Sequence, residues 1–340
     1  MDAKITKNRL SIMLSYDWLK IVGAAVAAIF FWLLVLTMTA TRITPAQQFT
    51  VYNYACNNRL SDKFLSLYTS ALNKKTFSYE VIEVNEFDLA ENPDYAYTLL
   101  EAHTAVEEGD LMFVPNVADS STAYKEEGSE ETKYGRTYAE SFFSGYHHMV
   151  YELDPTSENG YFKQMENFLN RYYTQGYQNA DVLDTEKIEK DFVARITKNG
   201  DKRFKTDEQI AQGKKAEIER IQKYRDALDT FLNDYLKNGV VELTELTLKD
   251  AKGNPFTVEE HGFARTGKYA INLCPNDEET TMKNLKEYLS YNAPSQTDSS
   301  KQTQTAKDML VMFFDFDGVE ESYQYESLLF VNQLIEKGKN

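Results

Sequence analysis

"YAYTLLEAHTAVEEGDLMFVPNVAD", residues 95 to 119, changes period in the middle. Tyr95, Leu99, Ala102, His103 and Val106 recur at helical spacing, which predicts a helix packing that stripe on a core. After Gly109 the chain reads Leu111, Met112, Phe113, Val114, a continuous apolar run of the kind found in strands buried on both faces. A helix, a glycine stop and a buried strand in that order suggest a crossover unit, and the neighbouring segments extend it. "QFTVYNYAC" (48–56) is rich in β-branched and aromatic residues and predicts a first strand. "SDKFLSLYTSALNK" (61–74) predicts a helix behind a Ser61 or Asp62 cap, and "FSYEVIEV" (77–84) a second strand. The resulting β-α-β-α-β order argues for an α/β fold with a parallel sheet.

Such sheets collect ligands in the crevice beyond the carboxyl ends of their strands. Those ends are "NYACNN" (53–58) and "PNVAD" (115–119). Tyr54, Asn57, Asn116 and Asp119 are therefore the candidate ligand-binding residues, with Asn53 and Asn58 beside them. Asn, Asp and Pro at strand ends also serve simply as turn formers.

The first strand, its helix, "FSYEVIEV" and "TLLEAHTAVEEGDLMFVPN" (98–116) together resemble the N-terminal lobe of bacterial extracellular solute-binding proteins, the sugar-binding group of the periplasmic-binding-protein-like type II fold. "SGYHHMVYELDP" (144–155) resembles a later stretch of that family in which Leu-Asp-Pro closes a turn. "GKYAINLCPNDEETTMKNLKEYLSYN" (267–292) resembles its returning strand and following helix. The resemblance implies a two-lobed cleft, a small sugar-like ligand and the permease subunits of an ABC-type importer as partners. About 300 residues is short for the family, whose Gram-positive members usually carry a lipid anchor. A helical stripe from Ile210 to Leu236 stands where part of a second lobe is expected.

The N-terminus is the most distinctive segment. Ile21 to Thr41 is uncharged over 21 residues, long enough as a helix to cross roughly 30 Å of hydrocarbon. Lys4, Lys7, Arg9 and Lys20 precede it, and the positive-inside bias leaves them in the cytoplasm. The expected organisation is a cytoplasmic N-terminus (1–20), a transmembrane helix (21–41) in the cell-membrane bilayer and an extracellular domain (42–340). A cleaved signal peptide is the rival, disfavoured by the length of the apolar run and by Trp18 and Trp32. Residues 1–42 carry net +3, leaving −19 on the rest of a chain whose total is −16. So acidic a domain repels phosphate backbones, and nucleic acid is not an expected partner. Cys56 and Cys274 could form a bridge outside the cytoplasm or remain free thiols.

Catalytic signatures are sparse. The sequence has no P-loop, HExxH pair, Gly-x-Ser-x-Gly elbow or paired CxxC. His103 falls on the apolar side of its helix and reads as a satisfied, half-buried residue. His147 and His148 are adjacent, and in a strand they would point to opposite faces, a poor start for a metal site. "DFDG" (315–318) opens like a calcium loop, but Glu320 occupies the place that needs glycine. Glu259 and Glu260 are one acidic pair among 53 acidic residues. Neither cofactor nor metal is expected. The 23 Tyr and 20 Phe carry more weight, six of them within "KYGRTYAESFFSGYHHMVY" (133–151). Most should be core and three or four should line a groove, where ring faces stack on sugars. Segments 119–135 and 291–307 read as polar loops. The reading that follows is a membrane-anchored, non-enzymatic solute-binding-like protein. An assembly subunit of a membrane complex is the alternative, and an envelope glycosidase is disfavoured.

Overall fold

The computed structural model describes residues 7–39, 47–54, 58–60, 63–64, 66–67, 76–89, 93–262, 265–276, 278–294, 302–316 and 325–339. The chain divides into two units, Met1–Ile43 and Thr44–Asn340. The first contains helix α1 (Lys7–Thr39), 33 residues long. Its described side chains are Trp18 and those from Lys20 to Val35, and the large apolar ones, Ile21, Ile29, Phe30, Phe31 and Leu34 among them, are exposed. Among the described residues no helix is long and apolar enough to cross a membrane.

In chain order the strands of the second unit are β1 (Gln48–Asn53), β2 (Asn58–Leu60), β3 (Glu83–Asp88), β4 (Leu111–Pro115), β5 (Ala123–Lys125), β6 (Thr132–Tyr134), β7 (Glu242–Thr247), β8 (Thr266–Asn272), β9 (Leu289–Pro294), β10 (Gln302–Thr305) and β11 (Met309–Phe313). Its longer helices are α2 (Pro93–Thr104), α3 (Tyr138–Tyr146), α4 (Tyr161–Leu169), α5 (Thr185–Asn199), α6 (Asp207–Asp229) and α7 (Glu326–Lys339). α6 runs on through a π-helical segment, Thr230–Leu236.

A six-stranded sheet in the order β3-β1-β4-β11-β8-β7 organises the unit, which is α/β as expected. β1 pairs parallel with both β3 and β4, so the predicted crossover half is present. The sheet as a whole is mixed. β11 runs antiparallel to β4, with Leu111 opposite Phe313, and β8 and β7 continue antiparallel. The run "MLVMF" has the composition of a doubly buried strand, and composition carries no direction.

Alternate side chains from the central strands feed two core layers. Phe49, Val51, Leu111, Phe113, Val311 and Phe313 pack on one face with residues of α4, α6 and α7. Tyr52, Met112, Val114, Leu310 and Met312 pack on the other with residues of α2 and α3. One sheet thus serves as the middle layer of residues 44–340. The described residues do not confirm the pair of lobes implied by the resemblance, and the long helix α6 packs onto this same sheet.

Four local expectations change. The second strand begins at Glu83, while residues 77–82 turn and bury Phe77 and Val81. β3 lies at the sheet edge with every residue half-buried, so it needs no strong apolar signal. α2 buries Leu100 and Thr104 and leaves Tyr95 72 % exposed, and Val106 in the turn beyond it is 65 % exposed, so of the predicted stripe only His103 is half-buried as expected. His147 and His148 lie in a 3-10 turn, not a strand. The two expected loops also hold short pairings, β5 with β6 and β10 with β9. Of the predicted helix 61–74, only Lys63, Phe64, Ser66 and Leu67 are described, all helical.

Candidate functional site

A cavity of about 260 Å³ opens at the carboxyl ends of the three parallel strands. Tyr54 follows β1, Leu89 follows β3, and Asp119 to Ser121 follow β4, all on its wall. Backbone bonds set these ends side by side: Tyr54 N–H donates to the Phe113 carbonyl and Leu89 N–H to the Asn53 carbonyl, each at 2.9 Å. α2 supplies Ala96, Tyr97 and Leu100, and α3 supplies Tyr138 and Tyr146.

Local rules place α3. Thr137 caps it reciprocally with Glu140, its hydroxyl accepting the Glu140 N–H and the Glu140 carboxylate accepting the Thr137 N–H. Tyr138, Phe142 and Tyr146 then recur every four residues and share one face. Phe142 stacks on Tyr146 at 5.0 Å between ring centroids and meets Tyr54 at 5.6 Å. Gly109, before β4, has φ +155°, and a side chain there would press on Tyr52 and Phe314.

The candidate residues separate. Tyr54 and Asp119 both line the cavity. Asp119, 4 % exposed, also holds its own turn: Oδ1 accepts the Ser121 N–H and hydroxyl at 2.8 and 2.7 Å, and Oδ2 accepts the Ser141 hydroxyl. Asn116 is half-buried and is not among the lining residues, its N–H donating to the Asp308 carbonyl on the β11 side. Asn57 lies outside the described residues. Tyr97, Tyr138 and Tyr146 were not singled out beforehand. For the last two, the aromatic density of 133–151 was the available signal, and for Tyr97 the misplaced stripe hid it.

The Tyr146 hydroxyl is buried and has no hydrogen-bond partner. Burial first, then the Tyr97, Glu101 and Tyr54 side chains, push its proton affinity well above the usual phenol range. It stays protonated at neutral pH and can donate or accept.

A second cavity, about 180 Å³, borders a buried charge cluster and includes Tyr79, Arg220 and Lys223. Its charges are committed within the chain. Arg195 donates to Glu80 at 2.7 Å and Glu217 at 2.9 Å, Arg203 reaches Glu80, and Arg220 reaches Glu217. Burial alone would raise the Glu80 carboxyl, but Arg220, Arg195 and Arg203 prevail and hold it at about 2. Lys223 donates to the Phe77 carbonyl.

His103 Nδ1 lies 2.6 Å from Glu108 Oε2, with its ring against Phe87. Cys274 is buried, while Cys56 is outside the described residues. Among the described residues no group of three or more His, Cys, Asp or Glu could hold a metal. Glu326, twelfth from Asp315 in the calcium-like count, accepts from the Ser78 N–H and the Tyr224 hydroxyl. Compared with known proteins, the chain matches no family model, no curated protein and no solved structure.

Proposed function

We propose that residues 44–340 form a non-catalytic capture domain for a small polar ligand, held at the membrane by residues 21–41 and working beside the permease subunits of an ABC-type importer. The observation that carries this reading is the position of the tyrosine-lined cavity. It lies at the carboxyl ends of three adjacent parallel strands, where open α/β sheets place ligands. Tyr54 and Asp119 lie on its wall. Carbohydrate is the ligand class implied by the resemblance, and tyrosine faces suit it. The uncharged run from Ile21 to Thr41 and the basic residues before it support single-pass anchoring with the bulk outside.

A ligand at a hundredfold over its dissociation constant should stabilise the protein by about 2.7 kcal/mol. A thermal-shift screen of sugars and small metabolites on the full chain reads this directly. Protease added to intact cells should remove everything after Arg42 and leave a small protected fragment.

One observation favours the alternative of a non-catalytic assembly subunit. The outer side of α2 exposes Tyr95 and Leu99, with Val106 exposed in the turn that follows, as a segment docking on a protein partner would. A screen without any thermal shift, alongside stoichiometric recovery of a membrane partner lost on Leu99→Asp, would replace the capture reading with that one.

A further inference from the structure

The groups lining the tyrosine cavity are unequally free. Asp119 already accepts on both oxygens, from Ser121 and Ser141. Ser120 and Tyr138 share a hydrogen bond at 3.3 Å. The Tyr97 hydroxyl is bonded to Glu101, one turn further along α2. The Tyr146 hydroxyl, on a side chain 8 % exposed, has no partner. A sugar brings several hydroxyls, and each one left unpaired on burial weakens binding. This wall offers few free groups to pair them.

It is better equipped for positive charge. Among the described residues, the lining contains four tyrosines, Tyr54, Tyr97, Tyr138 and Tyr146, and neither lysine nor arginine. The Tyr97 and Tyr146 rings stand 6.5 Å apart, tilted by 52°. Aromatic faces attract cations through the ring quadrupole, most strongly where water is excluded. Asp119 on the wall and Glu101 beside Tyr97 add negative potential.

We infer that the ligand of this cavity is a small organic ammonium ion, held against the rings of Tyr97 and Tyr146 near the Glu101 carboxylate. The inference rests on the capture reading of the cavity and narrows its ligand class away from sugars.

Choline, its uncharged isostere 3,3-dimethyl-1-butanol, glucose and maltose can each be titrated against the full-length chain, with calorimetry for Kd and circular dichroism for Tm. Choline should bind and raise Tm, and the isostere should bind roughly tenfold more weakly or not at all. Tyr97→Ala and Glu101→Gln should each weaken choline roughly tenfold, whereas Tyr97→Phe, which keeps the ring, should stay within about threefold. Tyr97 is 63 % exposed, so its variants test recognition, and unchanged Tm without ligand checks that they fold. Equal binding of choline and its isostere overturns the inference, because charge would not be recognised. Binding of a sugar without choline overturns it and leaves the capture reading standing. Binding of none of the four overturns it as well, and a blank in the wider metabolite screen then removes the capture reading.

Discussion

The charge cluster around Glu80 and the tyrosine cavity around Tyr146 both bury polar groups, with opposite outcomes. In the cluster, Arg195, Arg203 and Arg220 meet Glu80 and Glu217, joining the 77–82 turn to α5 and α6 through ion pairs. At the cavity the buried hydroxyl of Tyr146, a lining residue, has no hydrogen-bond partner. Matched burial ties helices to the sheet layer, whereas an unmatched group next to space is where binding a ligand gains most.

The sharpest way to break the comparison is to damage the matched side. Arg220→Ala removes the buried guanidinium that pairs with Glu217 and lowers the Glu80 carboxyl, leaving Arg195 and Arg203 to hold both carboxylates, and should cost about 3–5 kcal/mol in urea denaturation. Phe113→Ala, opening the centre of β4, should cost a similar ~3–5 kcal/mol. An unchanged midpoint for either would mean that the corresponding layer is not the core described here.

Acid should act next. With Glu80 held at about 2, its contribution is fully present above the ordinary carboxyl value near 4.5 and is lost as pH falls through about 2. The loss should be on the order of 3 kcal/mol, and Glu80→Gln should flatten that part of the stability profile. Asp110 works in the opposite direction. Burial raises its carboxyl to about 7, against the Thr50 N–H it accepts and with help from Glu326 and Glu108. Its contribution is fully present below about pH 3.8 and is lost as pH rises through about 7. Asp110→Asn should therefore gain stability relative to the parent at pH 8 compared with pH 4. Identical pH profiles for the two proteins would refute that role.

The smallest expected effect completes the contrast. Tyr97→Ala, at the cavity mouth, should change stability by less than about 0.5 kcal/mol while changing ligand affinity. A large loss of Tm without ligand would make the tyrosines structural and remove the distinction between the two regions.

Legibility followed burial. β1 and β4 were readable because strands covered on both faces need apolar residues at every position, as Val51 and Tyr52 or Leu111 to Val114 show. The edge strand β3 was displaced in the reading because "EVNEFD" is half-exposed and Phe77 and Val81 drew the signal into the preceding turn. In α2 the stripe was rotated, since Tyr95, Leu99 and Val106 match a helical period as well as Leu100 and Thr104 do. Periodicity finds a face without saying which one is covered. Of the site, Tyr54 and Asp119 could be placed from strand ends alone, but Tyr97 and Tyr146 come from two helices on one side of the sheet.

The sequence by itself determined the uncharged 21-residue run with basic flanks, the acidic balance of the remainder, the α/β alternation of the first seventy residues beyond Gln48, and the crevice end of its strands. These are properties of composition and local period, which a chain carries before it folds. Tertiary structure alone decided that β11 inserts antiparallel beside β4, that α6 packs on the same sheet, and that Tyr54, Tyr97, Tyr138 and Tyr146 share one cavity. Strand direction, helix rotation and convergence of distant side chains depend on long-range packing, and local period is blind to all three.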